Sequence, residues 1–410
     1  MSSILTNNSA MVALQTLKSI NKNLGETQSM ISTGKSVATA RDNAAVWAIS
    51  KVMESDVKGF KAISASLALG QSTVAVAQNA SETIADLLTE IKGKIVASQE
   101  ENVDRAKIQA DIDALRDQIS SVSGAAQFNG LNLLSNTETD AGSGNVSVLS
   151  SLDRAGDGSV TSANIDVLKQ DLGTGAATAG TTGTNAGGAA AVADGATGEA
   201  FTFASTSVEA GQTFEFGSGG GLGLSADVVY VARDGDTMAD VMEQMVARLN
   251  SQAIRDEIDV SFSINGATAG QVDFTNNTGA AVTVAAADVT EDLNGANLDG
   301  TIGGGLELLA SVDVTSEVGA DAALADIESM IQTAISAAAE FGSVQGRIDT
   351  QADFISKLTD SLRSGIGALV DADMEAASAR LQALQVQQQL GVQSLSIANQ
   401  APQTILSLFR

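Results

Sequence analysis

Three stretches of the chain carry residue types that could hold a phosphate or a metal ion. Gly34-Lys35-Ser36 ends like a phosphate-binding loop, in which backbone N–H groups cradle the phosphates and the Lys reaches the outer ones. That loop needs a Gly five residues before Gly34, and the position holds Ser29. Gly217-Ser218-Gly219-Gly220-Gly221-Leu222-Gly223 is rich in glycine but lacks the spacing of a dinucleotide loop. Strand-like residues follow it where a helix is required, so it reads as a turn or linker. Asp153 to Asp157 and Asp234-Gly235-Asp236 crowd carboxylates together, yet neither has the spaced oxygen ligands and distal Glu of a calcium loop, and both read as turns. Among 49 acidic side chains some pair always lies close in sequence, so proximity selects no acid–base dyad.

The chain has neither His nor Cys. That excludes zinc fingers, thiolate metal sites, Ser-His-Asp triads, Cys-His pairs and disulfides. No catalytic, cofactor-binding or metal-ligating residue is nominated, and the chain is not expected to be an enzyme. A net charge of -27 argues against nucleic acid, whose phosphates need clustered Lys and Arg. The first 17 residues carry no charge, and nowhere do eighteen apolar residues run together. Neither a cleaved secretion signal nor a membrane span is predicted. Aromatic residues make up 3% of the chain, so no large aromatic core is expected.

The elements that would position any site fall into two materials. Residues 137–320 hold 28 of the 40 Gly, with 26 acidic and five basic side chains. Before that stretch, Met53, Phe60, Leu67, Val74, Leu88 and Ile95 keep a spacing of seven interrupted only at Ser81, with Ile63, Ala77, Ile84 and Ile91 on a second seam. Such a heptad predicts one helix over roughly residues 44–99, about 84 Å long at 1.5 Å per residue. Ile108, Ile112, Leu115, Ile119, Val122 and Ala126 predict a further helix ending at the Phe128-Asn129-Gly130 turn signal. After the insert, Ile327, Ala334, Phe341, Ile348, Ile355, Leu362 and Leu369 repeat the spacing, with Leu324, Ile331, Ala338, Ala352 and Ile366 as companions. The predicted fold is mainly α, a long antiparallel helical coiled-coil bundle built from both chain ends with an inserted α+β variable domain.

Within the insert, Phe201 to Phe203, Phe214 to Phe216, Asp227 to Val231, Ile258 to Phe262 and Val272 to Phe274 alternate as half-buried strands do. A helix capped by Asp236 or Thr237 and striped by Val241, Met242, Met245 and Leu249 should lie between them. Residues 173–198 read as an exposed loop or flexible edge.

The two extremes of the chain are different again. Residues 1–17 and 381–409 are amphipathic but uncharged, whereas a solvated helix face normally carries Lys and Glu. Both ends therefore read as interfaces. A membrane-surface helix would want basic residues and aromatic anchors, and only Phe409 and Arg410 qualify.

Ile31-Ser-Thr-Gly-Lys-Ser-Val37, Ala40-Arg-Asp-Asn-Ala-Ala45, Ala48-Ile-Ser50 and Gln127-Phe-Asn-Gly-Leu-Asn-Leu-Leu134 resemble the N-terminal signature of bacterial flagellin. Asp371-Ala-Asp373-Met-Glu375 and Ala398-Asn-Gln-Ala-Pro-Gln403 followed by Leu406-Ser-Leu408 resemble its C-terminal signature. Asp42-Asn43-Ala44-Ala45-Val46 departs from the commoner two Asp followed by Ala-Ala-Gly, as alphaproteobacterial flagellins do. Arg41 and Asp42 themselves read as helix-cap and surface residues.

The resemblance implies a structural subunit of the flagellar filament, exported unfolded by the flagellar type III secretion system without a cleaved signal peptide. It implies three parts: residues 1–40 with 366–410 as inner-tube helices, 41–140 with 318–365 as the outer tube, and 141–317 as a surface-exposed insert. The implied partners are other copies of the chain, a flagellar cap, junction proteins and an export chaperone, with no cofactor. A hook–filament junction protein and a secreted filamentous adhesin are the alternatives. The expected subunit-packing residues are Leu5, Leu14, Leu17, Leu24, Leu384, Leu395, Ile405 and Leu406.

Overall fold

The computed structural model describes residues 7–155, 157–180, 184–185, 191–205, 207–218, 221–285, 288–292 and 298–408, with backbone only for 184–185 and 401–408. Its contacts gather into two compact units, Met1–Ser64 with Asp353–Arg410, and Ala65–Ala352.

The first unit is helical. Helix α1 (Asn8–Thr33) is capped by Asn7, whose side chain accepts the Ala10 N–H, and it ends at Gly34 in the left-handed conformation with φ of 70°. Helix α2 (Ala44–Ser98) begins in this unit and carries the single Trp, half-buried Trp47, in its first turn. Asn43, not Asp42, caps it by accepting the Val46 N–H at 3.2 Å. Asp42 instead closes the preceding turn by accepting from Thr39 N–H at 2.8 Å and Ala38 N–H at 3.2 Å. Helix α5 (Glu317–Val370) ends here, and α6 (Met374–Leu408) follows after a break of three residues.

The second unit joins helices to sheets. The buried stripe of α2 runs through Leu67, Gly70, Val74, Ala77, Ser81, Ile84, Leu88, Ile91 and Ile95, an unbroken alternation of three and four. Ser81 keeps the seam by donating its hydroxyl to the Ala77 carbonyl at 2.9 Å, which removes the cost of a polar group in a dry place. Helix α3 (Arg105–Ala125) buries Ile112 and Ile119 and is capped by Asp104. It ends in a short hairpin, β1 (Gln127–Phe128) and β2 (Leu131–Asn132), turned by Asn129 and Gly130, both with positive φ. On α5 the stripe is Ala320, Ala323, Ile327, Met330, Ala334, Ala337, Phe341, Val344 and Ile348. The companion seam thus lies one residue earlier than expected, leaving Leu324, Ile331 and Ala338 half-buried. Leu369, at the end of the expected heptad, is exposed.

A hairpin that the sequence pattern does not reveal, β3 (Asn145–Arg154) with β4 (Val160–Leu168), packs on α2. Val148 lies where a Cβ on Gly70 would fall, and Gln351 on α5 donates to the Ser150 carbonyl at 2.9 Å. The remaining strands make two antiparallel sheets. One pairs β6 (Thr197–Thr202) and β9 (Val260–Ile264) to either side of β10 (Gln271–Asn276). The other runs β5 (Thr184–Asn185), β11 (Val289–Glu291), β7 (Thr213–Phe216), β8 (Val228–Val231) in spatial order. Helix α4 (Met238–Arg255) packs on them, started by a capping box of Thr237 and Asp240.

Five strands and the helix therefore stand where the alternation places them. Residues 173–198 are only in part the expected loop: Thr178 bridges Thr301, Val192 bridges Val282 and is buried, β5 is a sheet edge, and 181–183 and 186–190 lie outside the described residues. The glycine-rich stretch is likewise described only outside 219–220.

The expectation of no large aromatic core is overturned. Phe201, Phe203, Phe214, Phe216, Phe262 and Phe274 form one cluster with Val241, Met242, Met245 and Leu249 of α4. Phe203 stands 4.9 Å from both Phe201 and Phe214, ring centre to ring centre. Few aromatics suffice because they are gathered in one place. The single Tyr, Tyr230, is buried in the same cluster, with the guanidinium groups of Arg233 and Arg248 at 5.5 and 4.9 Å from its ring centre. Burial pushes its phenol pKa up. Arg248 pairs with Glu307, and Arg255 at the end of α4 pairs with the buried Asp326 of α5.

Candidate functional site

The first unit pairs two helices, α1 and α6, whose stretches toward the two chain ends, within residues 1–17 and 381–409, carry no charge. Helices α1 and α6 lie antiparallel: Asn7 donates to the Ala398 carbonyl at 2.8 Å, and Gln388 donates to Asn21 Oδ1 at 2.8 Å. Between them Gly391 lets the helices close, since a Cβ there would stand 3.2 Å from Leu17 Cδ1 and 3.8 Å from Ile20 Cδ1. The far end of α1 is tied by backbone bonds to the α5–α6 break. Ser36 N–H donates to the Val370 carbonyl at 2.7 Å, Ala372 N–H to the Gly34 carbonyl at 3.0 Å, and Lys35 bridges Asp371.

Two signature segments thereby acquire a local role. Gly34 terminates a helix here and does not open one, which removes any phosphate-loop geometry from Gly34-Lys35-Ser36. Asp373 begins α6 by accepting the Glu375 and Ala376 N–H groups at 3.0 and 3.1 Å. Lys18 and Arg380 border the uncharged stretches, and Lys22 pairs with Glu26 at 3.8 Å further along α1. Glu54 binds Lys51 at 2.6 Å and Lys35 at 3.5 Å, and the hydrogen bond from Lys51 holds its carboxyl below the usual range.

Of the expected packing residues, Leu384 is buried within the α1–α6 pair at 6% exposure, and Leu17, Leu24 and Leu395 are half-buried. Leu14 is 44% exposed. Leu5 lies outside the described residues, as do the side chains of Ile405 and Leu406.

The larger apolar surface is elsewhere on the same helices. Met11 and Val12 are each 63% exposed and Ile397 69%, with Val386, Leu390 and Val392 also exposed. Sequence reading missed these because it followed one Leu stripe per helix. The available signal was the crowding of apolar residues at 10–14, too broad for a single face, which marks a helix covered on more than one side.

An open groove of about 770 Å³ runs between the helices. Val12, Ala13, Thr16, Ile20, Leu390 and Gly391 line it together with Asn8, Ser9, Gln387 and Ser394, none of them charged. Such a lining brings no carboxylate or ammonium group to the groove, and its exposed apolar side chains gain free energy when covered. Among the described residues no group of carboxylates could hold a metal ion, and no helix is long and apolar enough to cross a membrane.

Residues 4–139 match the bacterial flagellin N-terminal helical region, and residues 324–409 match the bacterial flagellin C-terminal helical region. Flagellin A of Rhizobium meliloti is 37% identical over 420 residues, and Flagellin B of the same organism is 36% identical over 425, each alignment covering 100% of both chains. Flagellin FljM of Caulobacter vibrioides is 29% identical over 413 residues, covering 100% of this chain and 99% of its own. With both terminal regions matched in order and relatives aligned from end to end, this chain belongs to the bacterial flagellin family.

Proposed function

We propose that the uncharged α1–α6 surface is where copies of this chain pack upon one another in the filament. As a flagellin, the chain is a structural subunit of the extracellular flagellar filament and polymerises with its own kind. The observation that supports placing the contact here is the set of exposed apolar side chains, Met11, Val12, Leu14, Val386, Leu390, Val392 and Ile397, on helices whose adjoining polar residues are neutral.

Fully covering one such side chain stabilises an interface by about 1.5–3 kcal/mol. Association costs about 4–15 kcal/mol in lost freedom, so several must be covered together. Leu5, Leu17, Leu24, Leu384, Leu395, Ile405 and Leu406 complete the packing in this reading, some within the helix pair and some across copies. Head-to-tail repetition of one contact makes an open helix and not a closed ring.

Residues 1–40 with 366–410 would form the inner tube, 41–140 with 318–365 the outer tube, and 141–317 the outward insert. Export through the flagellar type III secretion system, and dealings with a cap, junction proteins and an export chaperone, belong to the same proposal. So does the absence of any catalysed reaction.

The test removes residues 1–20 or 391–410 and adds sheared filaments of the intact chain as seeds. Truncated chains should fail to elongate in electron micrographs while circular dichroism shows the helices of residues 65–352 retained. Normal filaments grown from either truncated chain would overturn the assignment of the ends.

A further inference from the structure

Eight of the nine methionines lie among the described residues, and these are sorted sharply by exposure. Met242, Met245 and Met330 are at most 1% exposed, in the cores of α4 and α5. Met30, Met53 and Met238 are half-buried. Met11 is 63% exposed and Met374 43% exposed, and both lie on the helix pair, near the N-terminal ends of α1 and α6 respectively.

A thioether is oxidised according to its access to solvent, and the product replaces a flexible apolar group with a polar one. Met11 does not stand alone. It adjoins Val12 and lies one helical turn from Leu14, both exposed, so it forms part of the uncharged apolar surface.

We propose that Met11 is an oxidation site by which peroxide blocks addition of the free subunit to a filament; Met374, flanked by Asp373 and Glu375, is a second exposed sulfur outside the uncharged stretch. This rests on the reading of the α1–α6 surface as a subunit contact. In the reaction a lone pair on Met11 Sδ attacks one oxygen of hydrogen peroxide. The S–O bond forms as the O–O bond breaks, sulfur loses two electrons, and the departing hydroxide takes the remaining proton to leave as water. The sulfoxide oxygen is a strong acceptor. Covered by a neighbouring copy's apolar side chains it would lose its water without gaining a donor, the penalty that attends any unpaired polar group in a dry contact. Subunits already in the filament would hold the same sulfur out of reach.

The experiment treats purified full-length chain with hydrogen peroxide, locates sulfoxide by peptide mass spectrometry, and then adds sheared filaments as seeds. Oxygen should appear at Met11 and Met374 before Met242, Met245 or Met330, and elongation should slow by about tenfold or more. Methionine sulfoxide reductase should restore it. The double variant Met11→Leu with Met374→Leu, compared only with its own untreated sample whatever that rate is, should lose less than about twofold on the same exposure, since it lacks the two exposed sulfurs. The proposal is overturned if oxidised wild-type chain elongates normally, if the double variant is slowed as much as wild type, or if the core methionines oxidise first. Failure of the contact reading shows separately, as untreated full-length chain that does not elongate or as intact filaments whose Met11 oxidises as fast as that of free subunits.

Discussion

A Cβ built on Gly93, near the C-terminal end of α2, meets nothing within 4 Å, whereas one on Gly70 of the same helix falls 2.7 and 2.8 Å from the two methyl groups of Val148. The same substitution should therefore have opposite signs at the two sites. Gly93→Ala removes the entropic burden of glycine in a helix and should raise stability by up to about 1 kcal/mol. Gly70→Ala gains the same propensity but must displace β3 from α2, and should lower stability by about 1–3 kcal/mol. Thermal unfolding of both variants followed by circular dichroism decides it, and a shared sign would refute the close packing at Gly70. Single residues also show where reading a sequence runs out. Asp42 and Asn43 are neighbours of equal capping ability, and only the backbone geometry gives the cap to Asn43. Met11 and Val12 carried no stripe of their own and so went unnamed, although they are the most exposed large apolar residues of α1.

At the scale of the element, a heptad fixes one seam and leaves its companion to be chosen. Ile327, Ala334, Phe341 and Ile348 were legible because seven residues return to the same face. The second row can stand three or four residues away, and the two choices, Met330 or Ile331, flank one stripe. The structure buries Met330 to 1% exposure and leaves Ile331 half-buried. Met330→Ala should consequently cost about 2–5 kcal/mol and Ile331→Ala less than half as much, measured by chemical denaturation. Equal costs would place the seam wrongly. Strands divide in the same way. Those of the sheets alternate and are legible from Phe and Val, but β4 begins Val160-Thr-Ser-Ala-Asn with every residue exposed, and its two buried residues, Ile165 and Val167, make an alternation too short to reveal it.

The whole molecule separates its charge from its candidate contact surface. Residues 137–320 carry a net charge of -21, counting 26 acidic against five basic side chains, while residues 1–17 and 381–409 carry none. Approaching subunits repel through their inserts, and no ion pair on the uncharged surface is weakened by salt. Raising ionic strength from about 0.01 M to 0.15 M shortens the screening length from roughly 30 Å to 8 Å. Seeded elongation followed by light scattering should therefore speed up over that range. A rate that falls would mean that ion pairs, not covered apolar side chains, join the subunits. This division was the most legible property of the sequence, since composition changes abruptly at the borders of the insert. The aromatic cluster was the least legible, because an average of 3% says nothing about where the rings meet. That cluster includes Tyr230 in one compact unit, and Trp47 belongs to the other. The chain thus contains its own pair of optical probes. Indole emission follows the terminal helices and phenol dichroism follows the sheets, so the order in which the two parts melt can be timed in one unlabelled sample.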